Sequence, residues 1–528
     1  PVKVCYHIED GKEVSACSRP DSSSHVGKRG YYSLFGAVGT YGGACFTAPY
    51  EEVKIFDYEL DDAGHAAITK YYGNVYALVI PEELDGNPVT AIGERAFADN
   101  ASLGSVVIPD KVETIGKEAF SGCSILADVV LPENSKYTFV GEGMFADDVS
   151  LTCIEIPKYI TEIQKRAFYN CGLTVLHLSE DIAYIGEEAF YGCAKLRDLT
   201  LPKYLEIYGA ACFGDCDALQ SVEIFKYLKE NDYFPHEHAM VDNGLMRGMF
   251  YGCDNLKDIR FASGVTRIAA NLFNGCTSLE EITLPDTVTH IGFHAFNACS
   301  SLRTVNLPDS LTKIDVMAFR NCTSLESIQI PDSVTEIWGC AFMGCDKLAD
   351  VHLPAKLKIL GTWAFRGCAS LQDVSIPPNV AEVPMFYDGF TVYATESPFV
   401  GCAKLKEVTL EEGMQIVAGA LFKNCDSLES IRIPDSVTKI GEAAFSGASS
   451  LKDVALSKNL TEINRGAFSG CSSLEKIELP DTVKNMGSSI FEGCSLLTEV
   501  KLPKYAVRIP GVAFKGCASL RAIDFPES

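Results

Sequence analysis

The sequence has no uninterrupted apolar run of the roughly 18 residues that a membrane-crossing helix needs, so no helical span and no direct membrane insertion are expected. Basic residues are scarce: 45 Lys and Arg stand against 70 Asp and Glu, a formal net charge of −25. Such a balance lacks the basic footprint that phosphate neutralisation demands, which excludes nucleic acid as an expected partner and disfavours anionic lipid. Missing too are G-x-S-x-G, H-E-x-x-H and a phosphate-cradling glycine loop, so no familiar catalytic motif is present. No basic, apolar, small-residue leader opens the chain, and starting on Pro1 instead of Met suggests a processed product whose signal peptide is presumed removed.

What is present is repetition. The stretch LEEITLPDTVTHIGFHAFNACSS, Leu279 to Ser301, recurs on either side with little change. Anchored on its Phe, the register is explicit: Phe250, Phe273, Phe296, Phe319, Phe342 and Phe365 are 23 residues apart, as are Phe399, Phe422, Phe445, Phe468, Phe491 and Phe514. Upstream, Phe97, Phe120, Phe145, Phe168, Phe190 and Phe213 repeat with small gains and losses, giving 18 copies in three blocks of six. A period of this length means one supersecondary unit per repeat, stable only when stacked on its neighbours.

Within each copy, Leu-x-x-Val/Ile-x-Leu/Ile-Pro alternates apolar and polar residues, as at Leu302, Val305, Leu307 and Pro308, and predicts a short half-buried strand closed by proline. Stacked in parallel, these strands form a sheet on one face. Val437, Thr438, Ile440 and Gly441 illustrate a second short extended piece that ends where the chain turns. The following x-x-Ala-Phe-x-x-Cys is too short for a free helix, and one helical or 3₁₀ turn that drives Phe inward is expected.

The motif I-P-x-x-V-T-x-I-G-x-x-A-F-x-G-C-x-x-L-x-x-V resembles the BspA-type leucine-rich repeat, found mainly in bacterial surface proteins, over nearly the whole chain from about Glu52. The resemblance implies a right-handed leucine-rich repeat solenoid used for attachment to host or microbial partners, and it brings no conserved catalytic residue.

Fifteen of the 21 cysteines fall three residues after the repeat Phe, among them Cys253, Cys276, Cys299, Cys322, Cys345 and Cys368. Parallel side chains on stacked coils keep their Cβ atoms near the ~4.8 Å coil spacing, beyond the ~3.8 Å that a disulfide prefers, so free buried thiols are expected. Ala448, Asn100 and Asp148 replace the cysteine in three copies, consistent with a packing role. A ladder never converges, so neither a metal site nor a cofactor is expected; His236 and His238, two apart without a third ligand, do not change this.

Residues 1–50 do not fit the repeat, and Cys5, Cys17 and Cys45 leave room for one disulfide of undetermined connectivity. Residues 51–76 contain two strand-like pieces around Asp61 to Gly64 and are assigned as an N-terminal capping hairpin, with the solenoid occupying 77–528. The last residues fall inside a strand signature, which suggests a covering partner or a continuing chain.

Two insertions, near 225–241 and 383–398, interrupt the array between the strand and the Ala-Phe turn. Their aromatics, Tyr227, Tyr233 and Phe234 in one and Phe386, Tyr387, Phe390 and Tyr393 in the other, are candidate ligand contacts, although each ring could instead fold back over its own coil. On the sheet face the outward residue before the central Val or Ile is often acidic, as at Asp258, Glu281, Asp350, Asp373 and Glu407. This strip suits a basic partner surface, or it simply keeps a long sheet soluble. Evenly repeated acids offer no distinguished catalytic pair, so a polysaccharide-cleaving enzyme is disfavoured. The expectation is a non-enzymatic, extracellular or cell-surface adhesion protein that binds a protein ligand, with glycan as the alternative.

Overall fold

Short strands stack because a two- or three-residue extended piece cannot bury its apolar side alone. The computed structural model describes residues 55–202, 204–224, 229–230, 248–262, 264–387, 392–504 and 508–524; residues 1–50 and most of the first insertion lie outside these. The chain divides into two units, Pro1–Asn231 and Asp232–Ser528, each a parallel β-solenoid, together about 18 turns.

In the first unit the strands Phe56–Leu60 and Ala66–Tyr71 pair antiparallel, and Ala66–Tyr71 continues in parallel register onto Asn87–Ile92 and then Thr114–Ile115. The sheet face begins with Ala77–Val79, Ser105–Val107 and Asp128–Val130. It thins to a single bridge between Glu155 and His177 and resumes with Asp198–Thr200 against Ser221–Ile224. In the second unit it runs through Glu281–Thr283, Thr304–Asn306, Ser327–Gln329 and Asp350–His352, then Ser375–Ile376, Glu407–Leu410, Ser430–Arg432 and Asp453–Ala455, ending with Lys476–Glu478, Glu499–Lys501 and Ala522–Asp524. Pairing is parallel and in register, Ile282 opposite Val305 for example, so the inward residue of one coil lies on that of the next. The second extended pieces form ladders of their own, such as Arg267–Ile268, His290–Ile291, Lys313–Ile314, Glu336–Ile337 and Ile359–Leu360.

The third wall corrects the expected helical or 3₁₀ turn: no helix of either kind occurs among the described residues. Instead the backbone of most described coils turns left-handed twice, two residues before and two after the Phe, as at Met317 (φ 56°) and Asn321 (φ 60°). Alternating right- and left-handed residues aim every second amide at the next coil. Met317, Phe319 and Asn321 donate to the carbonyls of Gly339, Ala341 and Met343 at 3.0, 2.8 and 2.7 Å. A helix would direct those donors back along its own chain, where a segment this short gains too few bonds to offset nucleation. Donating sideways, they join a ladder that spans the unit. Asn or Gly at the second left-handed site lowers the steric cost; Met317 carries it, and the inter-coil bonds offset a penalty of about 1 kcal/mol.

Inside, the Phe rings form a continuous stack within each unit. Phe190 and Phe213 lie 4.9 Å apart and 1° from parallel, and Phe342 and Phe365 lie 5.1 Å and 5°. Even the second insertion leaves the stack unbroken, with Phe365 and Phe399 at 5.7 Å. Every ring but the half-buried Phe514 is essentially inaccessible to water, and truncating one of the buried rings to Ala would cost roughly 3–5 kcal/mol.

The described cysteines other than Cys153 are free, and all of these but Cys517 are fully buried. Cys153, which is off the ladder, is disulfide-bonded. Most ladder thiols donate to the carbonyl of the Phe one coil back, as Cys322 does to Phe296 at 3.2 Å, Cys345 to Phe319 at 3.2 Å and Cys494 to Phe468 at 3.1 Å; Cys425 meets the Ser397 hydroxyl at 3.2 Å instead. Burial pushes the thiols of Cys193 and Cys299 up to about 12, so thiolate is scarce at neutral pH and the ladder is chemically inert.

Candidate interaction face

Because strand side chains alternate, a strand whose central Val or Ile points inward must present the residues on either side to solvent. The candidate residues Asp258, Glu281, Asp350, Asp373 and Glu407 are all exposed on this face. Their surroundings differ. Asp258 is held by Arg260 of its own strand at 2.7 Å and is thereby neutralised. Among the described residues Glu281, Asp350, Asp373 and Glu407 have no ion-pair partner.

In-register stacking places each outward residue beside its counterpart in the next coil, so successive carboxylates would repel. The pairing avoids this in most places by setting a hydroxyl next to an acid: Glu281 opposite Thr304, Ser327 opposite Asp350, and Ser430 between Glu407 and Asp453. Further along, Lys476 opposite Glu499 forms an ion pair at 2.9 Å. Two runs depart from this: Asp258 and Glu281 on adjacent coils, and Asp350, Asp373 and Glu407 on three consecutive coils, where strand pairing lapses between Asp350–His352 and Ser375–Ile376. Beside them a groove of about 280 Å³ is lined by Glu407, Thr409, Glu412, Ser430 and Arg432. Counting acids coil by coil does not reveal the hydroxyl alternation; reading each outward column along the array does.

The first unit has a larger groove on its sheet face, about 550 Å³, lined by Thr174, His177, Glu180, Asp198 and Thr200. It opens where the coil between Phe168 and Phe190 is one residue short of 23 and the ladder falls to the Glu155–His177 bridge.

Of the loop aromatics, Tyr227, Tyr233, Phe234 and Phe390 lie outside the described residues. Phe386–Tyr387 and Val392–Tyr393 form an antiparallel hairpin on the second insertion. Its stems are fixed by the buried Thr362, whose hydroxyl donates to the Pro384 carbonyl at 3.0 Å and accepts from the Glu396 amide at 3.1 Å.

The sequence pattern of the BspA type Leucine rich repeat region (6 copies) matches residues 90–139, 138–234, 245–372, 391–497 and 448–528, well over half of the chain. The chain belongs to the BspA type leucine-rich repeat family. No curated protein matches it. Similar solved structures include a leucine-rich repeat protein from Bacteroides ovatus, 23% identical, covering 90% of this chain and 94% of that one with a TM-score of 0.38. Another is a leucine rich cell surface protein from Faecalibacterium prausnitzii, 23% identical, covering 91% and 95% with a TM-score of 0.30. The pneumococcal vaccine antigen PcpA is 18% identical, covering 76% and 96% with a TM-score of 0.45. For this BspA type chain the family describes a repeat scaffold, and none of these relatives is named as an enzyme. Among the described residues no helix is long and apolar enough to cross a membrane, and no group of three or more potential metal ligands is found.

Proposed function

We propose that this BspA type chain is a non-catalytic recognition protein of a bacterial cell surface that binds a protein ligand through the sheet face, centred on Asp350, Asp373 and Glu407, with the hairpin of the second insertion as a further contact. The observation that carries the reading is the run of three exposed acids on consecutive coils with no ion-pair partner among the described residues; the other adjacent acids, Asp258 and Glu281, differ in that Arg260 holds Asp258. Like charges left adjacent are a cost to the fold, and a basic partner surface would relieve it. Surface placement follows the usual setting of the family. A second reading, glycan binding, is favoured by the polar groove around His177 and Asp198.

The test is capture of the full chain on immobilised extracellular-matrix proteins and on a glycan array. The protein reading expects capture by a basic matrix protein that weakens about tenfold or more in the combined variant Asp350→Asn, Asp373→Asn, Glu407→Gln, with an unchanged melting temperature. Capture indifferent to that variant removes the acidic column as the site. Selective glycan retention lost on His177→Ala and Asp198→Asn transfers the function to the groove.

A further inference from the structure

Four consecutive coils of the second unit depart from the repeat on the turn wall. In the first unit the two positions before Ala-Phe carry charges that pair from coil to coil, as Lys117 does with Glu142 at 3.1 Å and Lys165 with Glu187 at 2.9 Å. In the second unit the same positions hold Phe293, Val316, Met317, Cys340 and Trp363, while Trp338 stands where Gly292 and Gly361 stand in neighbouring copies. Val316, Met317 and Cys340 are buried, and Phe293, Trp338, Met343 and Trp363 pack half-buried against them. This is a second apolar cluster, outside the Phe stack. The stack is complete without it: Phe296, Phe319, Phe342 and Phe365 are fully buried in the same coils. Both tryptophans of the chain lie in this patch.

Its rim carries Arg320, Arg366 and Lys313 together with two acids: Lys313 pairs with Asp315 at 3.4 Å, and the Trp338 indole N–H donates to Glu336 at 2.9 Å. The Arg366 guanidinium lies 4.6 Å over the Trp363 ring and the Lys313 ammonium 5.4 Å over the Trp338 ring. Arg320, in the same column as Met343 and Arg366, has an Nε shielded from solvent with no hydrogen-bond partner among the described residues. Cations already cover one face of each indole, and thioether and aliphatic groups flank them. Sugar stacking, which needs an open ring face with polar neighbours, is poorly served. Half-buried Trp, Met and Arg are instead the residue types that anchor polypeptide interfaces. The patch also adjoins the base of the second insertion: Thr362, beside Trp363, clamps both stems of its hairpin, and Met385 on one stem is 60% exposed.

We propose that this turn-wall patch of Phe293, Trp338, Met343 and Trp363, rimmed by Arg320 and Arg366, is a docking site for a polypeptide segment with apolar side chains flanked by carboxylates. The apolar residues would seat against the indoles and Met343, and the carboxylates would meet the exposed parts of the guanidinium groups. The site is distinct from the acidic sheet face, and its Arg320 and Arg366 guanidinium groups would select a partner with carboxylates where the sheet face would select a basic one.

The experiment pans a displayed random-peptide library on the full chain and follows a selected peptide, synthesised without tryptophan, by the protein's own indole fluorescence. Because both indoles sit in the patch, occupancy there shifts emission, whereas binding at the sheet face leaves it unchanged. Expected are peptides enriched in Asp or Glu beside Leu or Phe, a shift on binding, and affinity lowered about tenfold or more by Met343→Asp and by Arg366→Glu but not by Asp350→Asn. If Met343→Asp fails to fold by circular dichroism, Arg366→Glu, on a half-exposed side chain, carries the test alone. No enriched peptide, binding silent in fluorescence, or affinity indifferent to Arg366→Glu overturns the proposal. So does a glycan-array signal, or self-association in sedimentation, that Arg366→Glu abolishes, since each assigns the patch another occupant.

Discussion

Asp148 stands where other coils place a thiol, and its burial favours the uncharged carboxyl. It is fully buried; one carboxyl oxygen accepts from the Cys123 amide at 2.7 Å, and the other has no partner among the described residues. Burial pushes Asp148 from an ordinary value near 3.8 up to about 9. The linkage sign follows. Below about pH 4 both folded and unfolded chains hold the proton; between about 4 and 9 only the folded chain does, so stability falls as pH rises and levels off above 9. In full-length protein, Asp148→Asn should therefore flatten the decline of the urea midpoint between pH 6 and pH 9, and a midpoint that falls equally in both proteins would exonerate Asp148. The substitution was visible in the sequence as a break in the cysteine column. Its protonation depends on enclosure by neighbouring coils, which no single repeat displays.

At the scale of the element, strands were legible and turns were not. The alternation Leu302, Val305, Leu307 can only bury one side, and Thr304–Asn306 forms accordingly. The segment around Phe319 is apolar and short, features that a helical turn and an alternating left-handed turn share. The choice falls to the latter because Gly339, Ala341 and Met343 of the next coil supply acceptors. The second insertion shows the same dependence. Its aromatics mark a protruding piece, but only the fold reveals Thr362 as the residue that holds it. Replacing Thr362 by Val keeps the shape and removes both hydrogen bonds, leaving the Glu396 amide without its acceptor and the Pro384 carbonyl without its donor at a cost of about 1–3 kcal/mol. Amide exchange along 384–396 should accelerate in that variant while the Phe342 and Phe365 coils stay protected; uniform acceleration across the unit would mean that Thr362 supports the stack and not the hairpin.

Over the whole molecule, charge is the property with consequences beyond any one coil. With −25 spread over the chain, an exposed acidic column attracts a basic ligand through screened, long-range forces. Capture of such a ligand should weaken steadily as salt rises through the range where the Debye length shrinks from ~10 to ~3 Å, chiefly through slower association. Peptide docking at the Trp338 and Trp363 patch, anchored by apolar burial, should lose less over the same range. A titration in which both responses are alike would argue that one surface serves both. The recurring Phe, the Leu and Val of the strand and the cysteine three residues later determined the fold from sequence alone, because a period repeated 18 times admits only stacking as a way to bury its apolar face. What lies beside what around the coil was decided by tertiary structure. The acids of Asp350, Asp373 and Glu407 fall on consecutive coils, a thiol meets a carbonyl one coil back, and four coils gather their turn-wall residues into a patch. Each is a contact between residues some 23 positions or more apart, set by the in-register stacking of coils and not by any local preference of the chain.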